Sequence, residues 1–238
     1  MADKKTALVV SAHSADFVWR AGGAIALYAK RGYEVSVVCL SYGERGESAK
    51  LWKEPGATLE AVKAARHKEA EAAAEILGGK LVVFDAGDYP MRLNDEHLNK
   101  LVALYRQIQP EFVLTHSLSD PYNFDHPEAA RFAQEARIIA QAHGHPGGKP
   151  IGAPPVYLFE PHQTEQCGWK PDVLLDISEV WEKKRKAFEC MAAQEYLWDY
   201  YTRVALQRGL QASRNSNMKI SHAEGYERIF PQVTGVFS

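Results

Sequence analysis

The segment TALVVSAHSADFVWRAGGAIALYAKRG, residues 6 to 32, constrains the fold more than any other stretch. TALVVSA is a near-continuous run of small and β-branched apolar residues, the composition of a strand covered on both faces. From Asp16 the pattern changes: Phe17, Ile25, Leu27 and Tyr28 fall at spacings that a helix buries on one side, and Gly32 supplies a stop. A buried strand that runs through a short polar loop into a helix opens a parallel sheet, in which ligands bind outside the carboxyl ends of the strands. His13 and Asp16 sit in that loop. Alone they fit two readings, a pair of metal ligands or a loop hydrogen bond with an aspartate helix cap.

EVSVVCLS at 34 to 41 repeats the buried-strand pattern, and a right-handed crossover should join it to the first strand. The loop after it, YGERGES, carries Glu44, Arg45 and Glu47. Residues 58 to 77 form a helix-favouring Ala/Glu/Lys run stopped by Gly78 and Gly79. KLVVFD is a third strand, residues 95 to 109 a helix ended by Pro110, and EFVLTH a fourth strand. DPYN then supplies turn chemistry, and HPEAARFAQEARIIAQA a helix with Pro127 in its first turn. The alternation predicts one α/β domain over residues 1 to 238, with a Rossmann-like, mostly parallel sheet flanked by helices.

His126 stands at the mouth of the last of these helices, again beyond the carboxyl end of a strand. Two imidazoles and a carboxylate with an open position form a recurrent ligand set for catalytic zinc and non-haem iron. His116 and Asp120 compete for that role but read more readily as a strand-end histidine and a turn aspartate. Composition removes other classes. A formal charge of −2 without a basic stripe is unlike a nucleic-acid-binding surface. No apolar run approaches the roughly 20 residues of a membrane span, and MADKK leads into the first strand without a signal-like region. Cys39, Cys167 and Cys190 are odd in number, far apart and outside any CxxC spacing, which disfavours a disulfide framework. A cytoplasmic protein is expected.

SAHSADFVWRAGGAIALYAKRGYEVSVVCLSYGERGE resembles the opening of the LmbE-like or PIG-L superfamily of zinc-dependent N-acetylglucosaminyl deacetylases, whose signature is A-H-P-D-D followed by a Gly-Gly helix. ARHKEAEAAAEILG is similar to its Arg-x-x-Glu helix and NFDHPEAA to its H-x-D-H ligand motif. LLDISEVWEKKRKAFECMAAQ and HAEGYERIF resemble its late D-I-S, Lys and Gln pattern and its closing Ala-Glu-x-Phe segment. The resemblance covers nearly the whole chain and implies a zinc ion (Zn2+) held by His13, Asp16 and His126. It also marks two departures. Ala15 replaces the family's general-base aspartate, and a methyl group cannot take a proton. Asn123 replaces the first histidine of H-x-D-H, and an amide can donate a hydrogen bond but cannot act as an acid.

Within the superfamily, HSADFVWRAGG, SYGERGES and DPYNFDHPEA are similar to a branch of bacterial hydratases. That resemblance implies a hydro-lyase adding water to 4-oxalomesaconate (4-carboxy-2-hydroxymuconate) to give 4-carboxy-4-hydroxy-2-oxoadipate, in gallate and protocatechuate catabolism. The alternatives are an N-acetylglucosaminyl-type amide deacetylase and a non-catalytic binding protein that retains the scaffold. Hydration needs water activated on one face and a proton delivered to the neighbouring carbon. Zinc supplies Lewis acidity, and the acid/base pair must come from other strand-end loops. Glu44 and His162 are the expected pair, with Glu47 in reserve for the carboxylate role. Arg66, at the place of the family's substrate-contacting arginine, Arg45 and Asn123 are the expected substrate contacts, a guanidinium fork suiting a carboxylate. Arg20 lies near the same cleft but reads first as a helix-face charge. The KKRK run at 183 to 186 reads as solvated, with Lys184 the one candidate for packing. The partner expected is a small polycarboxylate, with no nucleic acid or membrane, and the chain is expected to be a homo-oligomer.

Overall fold

In the computed structural model, which describes residues 5–235, the chain begins β1 (Thr6–Ser11), α1 (Asp16–Lys30), β2 (Glu34–Cys39), α2 (Ala49–Trp52), α3 (Leu59–Leu77) and β3 (Gly79–Val83). It continues α4 (Asp95–Ile108), β4 (Phe112–Thr115), α5 (Asp125–Gln141), β5 (Val156–Phe159), α6 (Thr164–Cys167) and β6 (Val173–Asp176). Helix α7 (Trp181–Cys190), α8 (Trp198–Arg214) and β7 (Ala223–Arg228) complete it, with 3₁₀ turns at Ser178–Val180 and Ala192–Leu197. The strands form one sheet in the order β3-β2-β1-β4-β5-β7-β6. β3, β2, β1, β4 and β5 pair in parallel, whereas β7 runs antiparallel to both β5 and β6. The sheet is therefore mostly parallel, as the alternation of patterns predicts, with an antiparallel edge that the patterns do not announce.

Local chemistry sets the element ends. Thr58 caps α3 by accepting the N–H of Ala61 at 3.2 Å, and Gly78 ends that helix at φ 83°, a conformation that favours glycine. All six residues of β1 are buried. Ala7 and Val9 face the layer of α1, α3, α7 and α8, and Leu8 and Val10 face the layer of α4 and α5. This two-sided cover explains the unbroken apolar run, and each large side chain so buried contributes about 1.5–3 kcal/mol.

Helix α1 departs from a one-sided amphipathic helix, because Asp16 through Leu27 are all buried. Its small residues permit this enclosure: a Cβ on Gly23 would lie 2.6 Å from Cγ2 of Ile177 and 2.9 Å from Oε1 of Glu224. Glu224, on β7, accepts the N–H groups of Gly23 and Ala24 at 2.7 and 2.8 Å, the Tyr226 hydroxyl at 2.7 Å and the Lys184 ammonium at 2.6 Å. Lys184 is only 2% exposed, so the KKRK run is not uniformly solvated. A buried carboxylate requires such donors, and Lys184 faces inward to meet it.

Chain order reverses between β1 and β4, the neighbours at the centre of the sheet. The loops leaving their carboxyl ends diverge there and open a crevice. Loop β1–α1 brings His13, loop β2–α2 brings Glu44 and Glu47, and loop β4–α5 brings His116, Asp120 and Asn123 to that edge. Among the described residues no helix is long and apolar enough to cross a membrane.

Candidate metal centre

Asp16 is the first residue of α1 rather than its cap, and the preceding Ala15 makes no side-chain capping bond. The Asp16 carboxylate turns back: Oδ2 accepts the backbone N–H of His13 at 3.0 Å and lies 3.0 Å from Nδ1 of the same residue. Nε2 of His126 is 3.5 Å from that oxygen, and Oε1 of Glu47 is 3.1 Å from Nδ1 of His13. His13, Asp16, Glu47 and His126 each offer one donor atom, all within 4.8 Å of one another.

Two observations fit this set to a cation. Nε2 of His126 is buried without a hydrogen-bond partner, although it points at the other donors. The electrostatics also call for positive charge. Burial disfavours the His13 imidazolium, yet the charge of Glu47 and hydrogen bonds to Asp125, Asp16 and Glu47 outweigh it and hold its pKa well above the ordinary value. Burial likewise opposes the Asp16 carboxylate, but His126 and His116 outweigh it and hold its pKa well below the usual range. Two imidazole nitrogens with carboxylate oxygens are a donor set for zinc or non-haem iron.

Each imidazole is braced from behind. Nε2 of His13 meets Oδ2 of Asp125 at 3.2 Å, and Nδ1 of His126 meets Oδ2 of Asp120 at 2.8 Å. Such carboxylates fix the ring's tautomer and orientation. Asp120 thus stands behind His126 instead of among the converging donors. His116 stacks on His126 with ring centroids 4.3 Å apart, while its Nε2 accepts the N–H of Ala12 at 2.9 Å. Burial and then the charge of His126 push the His116 pKa well below the ordinary value, so it is neutral. The bracing role of Asp125 escaped the sequence reading, although the adjacent Asp-His pair in NFDHP was its signal.

A cleft of about 230 Å³ opens beside these donors, and Asp16, Glu47, His126, Asn123, His162 and Arg20 line it. Glu44 does not: it is 1% exposed, accepts the N–H of Tyr42 at 3.2 Å and lies 3.9 Å from Nζ of Lys63. Burial, with Asp88 adding to it, raises the Glu44 pKa. The turn over residues 44–46, across which the Glu47 N–H donates to the Gly43 carbonyl at 3.3 Å, separates the two glutamates and sends only Glu47 to the cleft. Arg66 is fully buried and donates to Glu69 at 2.6 Å and to Gln194 at 2.8 Å, touching the cleft only through Gln194. Arg45 is exposed, and its backbone N–H donates to Asp88 at 2.9 Å. His162 stacks on Tyr200 with centroids 4.2 Å apart, and its carbonyl accepts the Tyr200 hydroxyl. Burial and then the charge of Arg20 lower its pKa, so the neutral ring faces the cleft.

An open, mostly parallel sheet with a carboxylate–imidazole cluster at its switch point defines a metal-dependent α/β enzyme class. Residues 8–137 match the GlcNAc-PI de-N-acetylase (PIG-L) family, and the chain belongs to that family. It is 64% identical over 236 residues to the 4-oxalmesaconate hydratase of Pseudomonas putida, covering 97% of this chain and 92% of that protein. The crystal structure of GalB, the 4-carboxy-2-hydroxymuconate hydratase of Pseudomonas putida KT2440, superposes with a TM-score of 0.96 at 64% identity, covering 98% of this chain and 100% of that one. The N,N'-diacetylchitobiose deacetylase of Pyrococcus horikoshii shares the fold at a TM-score of 0.79 and 23% identity, over 95% of this chain and 84% of that one.

Proposed function

We propose that the chain is a zinc-dependent hydro-lyase that adds water across the carbon–carbon double bond of 4-oxalomesaconate (4-carboxy-2-hydroxymuconate). The observation that carries this is the place of Glu47, in the cleft and 3.1 Å from Nδ1 of His13, in a site where Ala15 offers no carboxylate at the family's general-base position. The resemblance to the Pseudomonas putida 4-oxalmesaconate hydratase and to the GalB crystal structure supports the substrate. Hydrolysis of an N-acetyl group would call for the base and acid that Ala15 and Asn123 replace.

His13, Asp16 and His126 would hold the zinc ion, with Glu47 at its edge. Zinc so held supplies Lewis acidity toward an oxygen atom. His162, neutral on the cleft wall, takes the proton released as the water oxygen bonds to one carbon of the double bond. Glu47, in the cleft and beside His13, relays a proton to the neighbouring carbon, and as His162 returns its proton to solvent the product has gained the elements of one water. The Asn123 amide stands where it can donate to a substrate oxygen. This assignment moves the carboxylate role from Glu44 to Glu47, since only the latter lines the cleft. The three unpaired cysteines accord with a cytoplasmic setting.

The test is a turnover panel of 4-carboxy-2-hydroxymuconate and N-acetylglucosaminides with zinc-loaded protein. Glu47→Gln and His162→Ala should each lower hydration by about 10²–10⁴-fold, the usual contribution of a positioned acid or base, with zinc retained in His162→Ala. Normal turnover in both variants removes the pair, and efficient amide hydrolysis by the unaltered protein removes the hydratase reading.

A further inference from the structure

Arg20 brings a guanidinium to the wall of the cleft from one turn beyond Asp16, and its side chain is only 5% exposed. One of its donors is used: Nη1 donates to the carbonyl of Glu160 at 2.8 Å. Nε lies 3.4 Å from Oδ1 of Asp16 without forming a hydrogen bond and is a buried polar atom without a partner. A guanidinium has five N–H donors, and burying its charge with so few acceptors is costly unless something else completes the set. The surroundings sharpen the point. Asp16, Glu47 and Asp120 also line the cleft, and Arg20 is the one arginine or lysine among the lining residues. Arg66 and Arg45, the cations first expected to meet substrate, are absent from that wall.

We propose that Arg20 is the carboxylate anchor of the active site, its unsatisfied N–H groups gripping one carboxylate of a polycarboxylate substrate beside the metal cluster. This rests on the hydratase reading, which supplies a tricarboxylate as substrate. A planar guanidinium fork held by the Glu160 carbonyl is already oriented for a bidentate contact. It also supplies the fixed positive charge without which an anion would meet a cleft lined by acidic groups. The competing role for Arg20 is to hold Asp16 in place, and the two roles predict different measurements.

Zinc-loaded full-length protein, Arg20→Met and Arg20→Lys are compared in three ways: binding of propane-1,2,3-tricarboxylate by calorimetry, zinc content, and kcat and KM for 4-carboxy-2-hydroxymuconate. Removing one partner of a buried charged contact should weaken tricarboxylate binding by about 100-fold in Arg20→Met, raise KM by a similar factor and leave zinc content unchanged. Arg20→Lys should recover part of the affinity, since an ammonium keeps the charge but loses the fork. If Arg20→Met does not fold, a several-fold weaker affinity in Arg20→Lys with unchanged circular dichroism supports the anchor. Equal tricarboxylate affinity in the unaltered protein and either folded variant overturns it. So does a loss of affinity that appears only with lost zinc and returns when zinc is restored, because Arg20 would then be positioning Asp16. Arg20-dependent tricarboxylate binding by a protein that hydrates nothing would retain the anchor and remove the hydratase reading instead.

Discussion

Oδ2 of Asp125 lies 3.2 Å from Nε2 of His13, and the same carboxylate accepts the backbone N–H groups of Tyr89 and Met91, each at 2.9 Å. One side chain at the start of α5 thereby ties the imidazole after β1 to the loop after β3. Burial opposes the Asp125 charge, but its bonds to His13, Met91 and Tyr89 lower its pKa and keep it ionised. Asp125→Ala should therefore weaken metal binding by about 10–100-fold, the usual cost of losing such a brace. Competition against a chromophoric chelator measures this directly, and an unchanged affinity would mean that Asp16 and Glu47 suffice to orient His13.

A second brace acts on Glu47. The Asp88 carboxylate accepts the N–H of Arg45 at 2.9 Å and of Gly46 at 2.7 Å, the two residues immediately before Glu47. Gly46 in turn packs under Tyr89, where an added Cβ would lie 2.2 Å from Cδ2 of that ring. Gly46→Ala should displace Tyr89 or the loop that carries Glu47. A shift of about 1 Å in a reacting group can cost about 10²-fold, so turnover should fall toward that level while circular dichroism stays native. Full activity in Gly46→Ala would show that the Glu47 loop tolerates this displacement.

The acid side of the pH–rate profile should report His162. Burial and then the Arg20 charge push its pKa below the ordinary 6.5, so the neutral ring persists into more acidic solution than a free imidazole would. If the neutral ring handles the proton, turnover falls only as pH drops through that lowered value. Arg20→Met removes one of the lowering causes, so the acid limb should move upward, toward the ordinary value. A limb that stays put in both Arg20→Met and His162→Ala would belong to another group.

The first four strands and their helices were legible because β1, β2 and β4 are short continuous apolar runs and α3 ends on a glycine with its φ positive. β6 and β7 were not. VLLD is only four residues long, and AEGYER carries a glutamate that is buried because donors from three elements converge on it. That the site gathers at strand ends followed from the parallel sheet, which places His13, Asp16 and His126 near one crevice. Which glutamate faces it depends on the turn over residues 44–46 that separates them, and no residue spacing encodes which side chain that turn directs to the cleft. The arginines were harder still. Enclosure of α1 on all sides makes Arg20 a cleft residue, while the same packing shuts Arg66 behind Gln194.

Lys184 and Glu224 provide the test of how far that enclosure depends on one ion pair. Nζ of Lys184 is 2.6 Å from Oε1 of Glu224, and both side chains are almost wholly buried. Breaking a buried pair from one side leaves an uncompensated charge and typically costs about 3–5 kcal/mol. Lys184→Met should thus lower the urea midpoint and bring the melting temperature down by roughly 10 °C, since about 1 kcal/mol shifts a domain of this size by about 2–4 °C. Glu224→Gln should destabilise by a comparable amount: it strands the Lys184 ammonium and replaces one of the two oxygens that accept the N–H groups of Gly23 and Ala24. If the pair acts as a unit, the double variant should lose less than the sum of the single losses, because neither charge is then left alone. Additive losses would mean that Lys184 and Glu224 stabilise the fold through separate neighbours. Since Glu224 bonds α1 one turn beyond Arg20, each single variant should also loosen the cleft wall and raise KM, whereas a purely local packing defect would leave KM untouched.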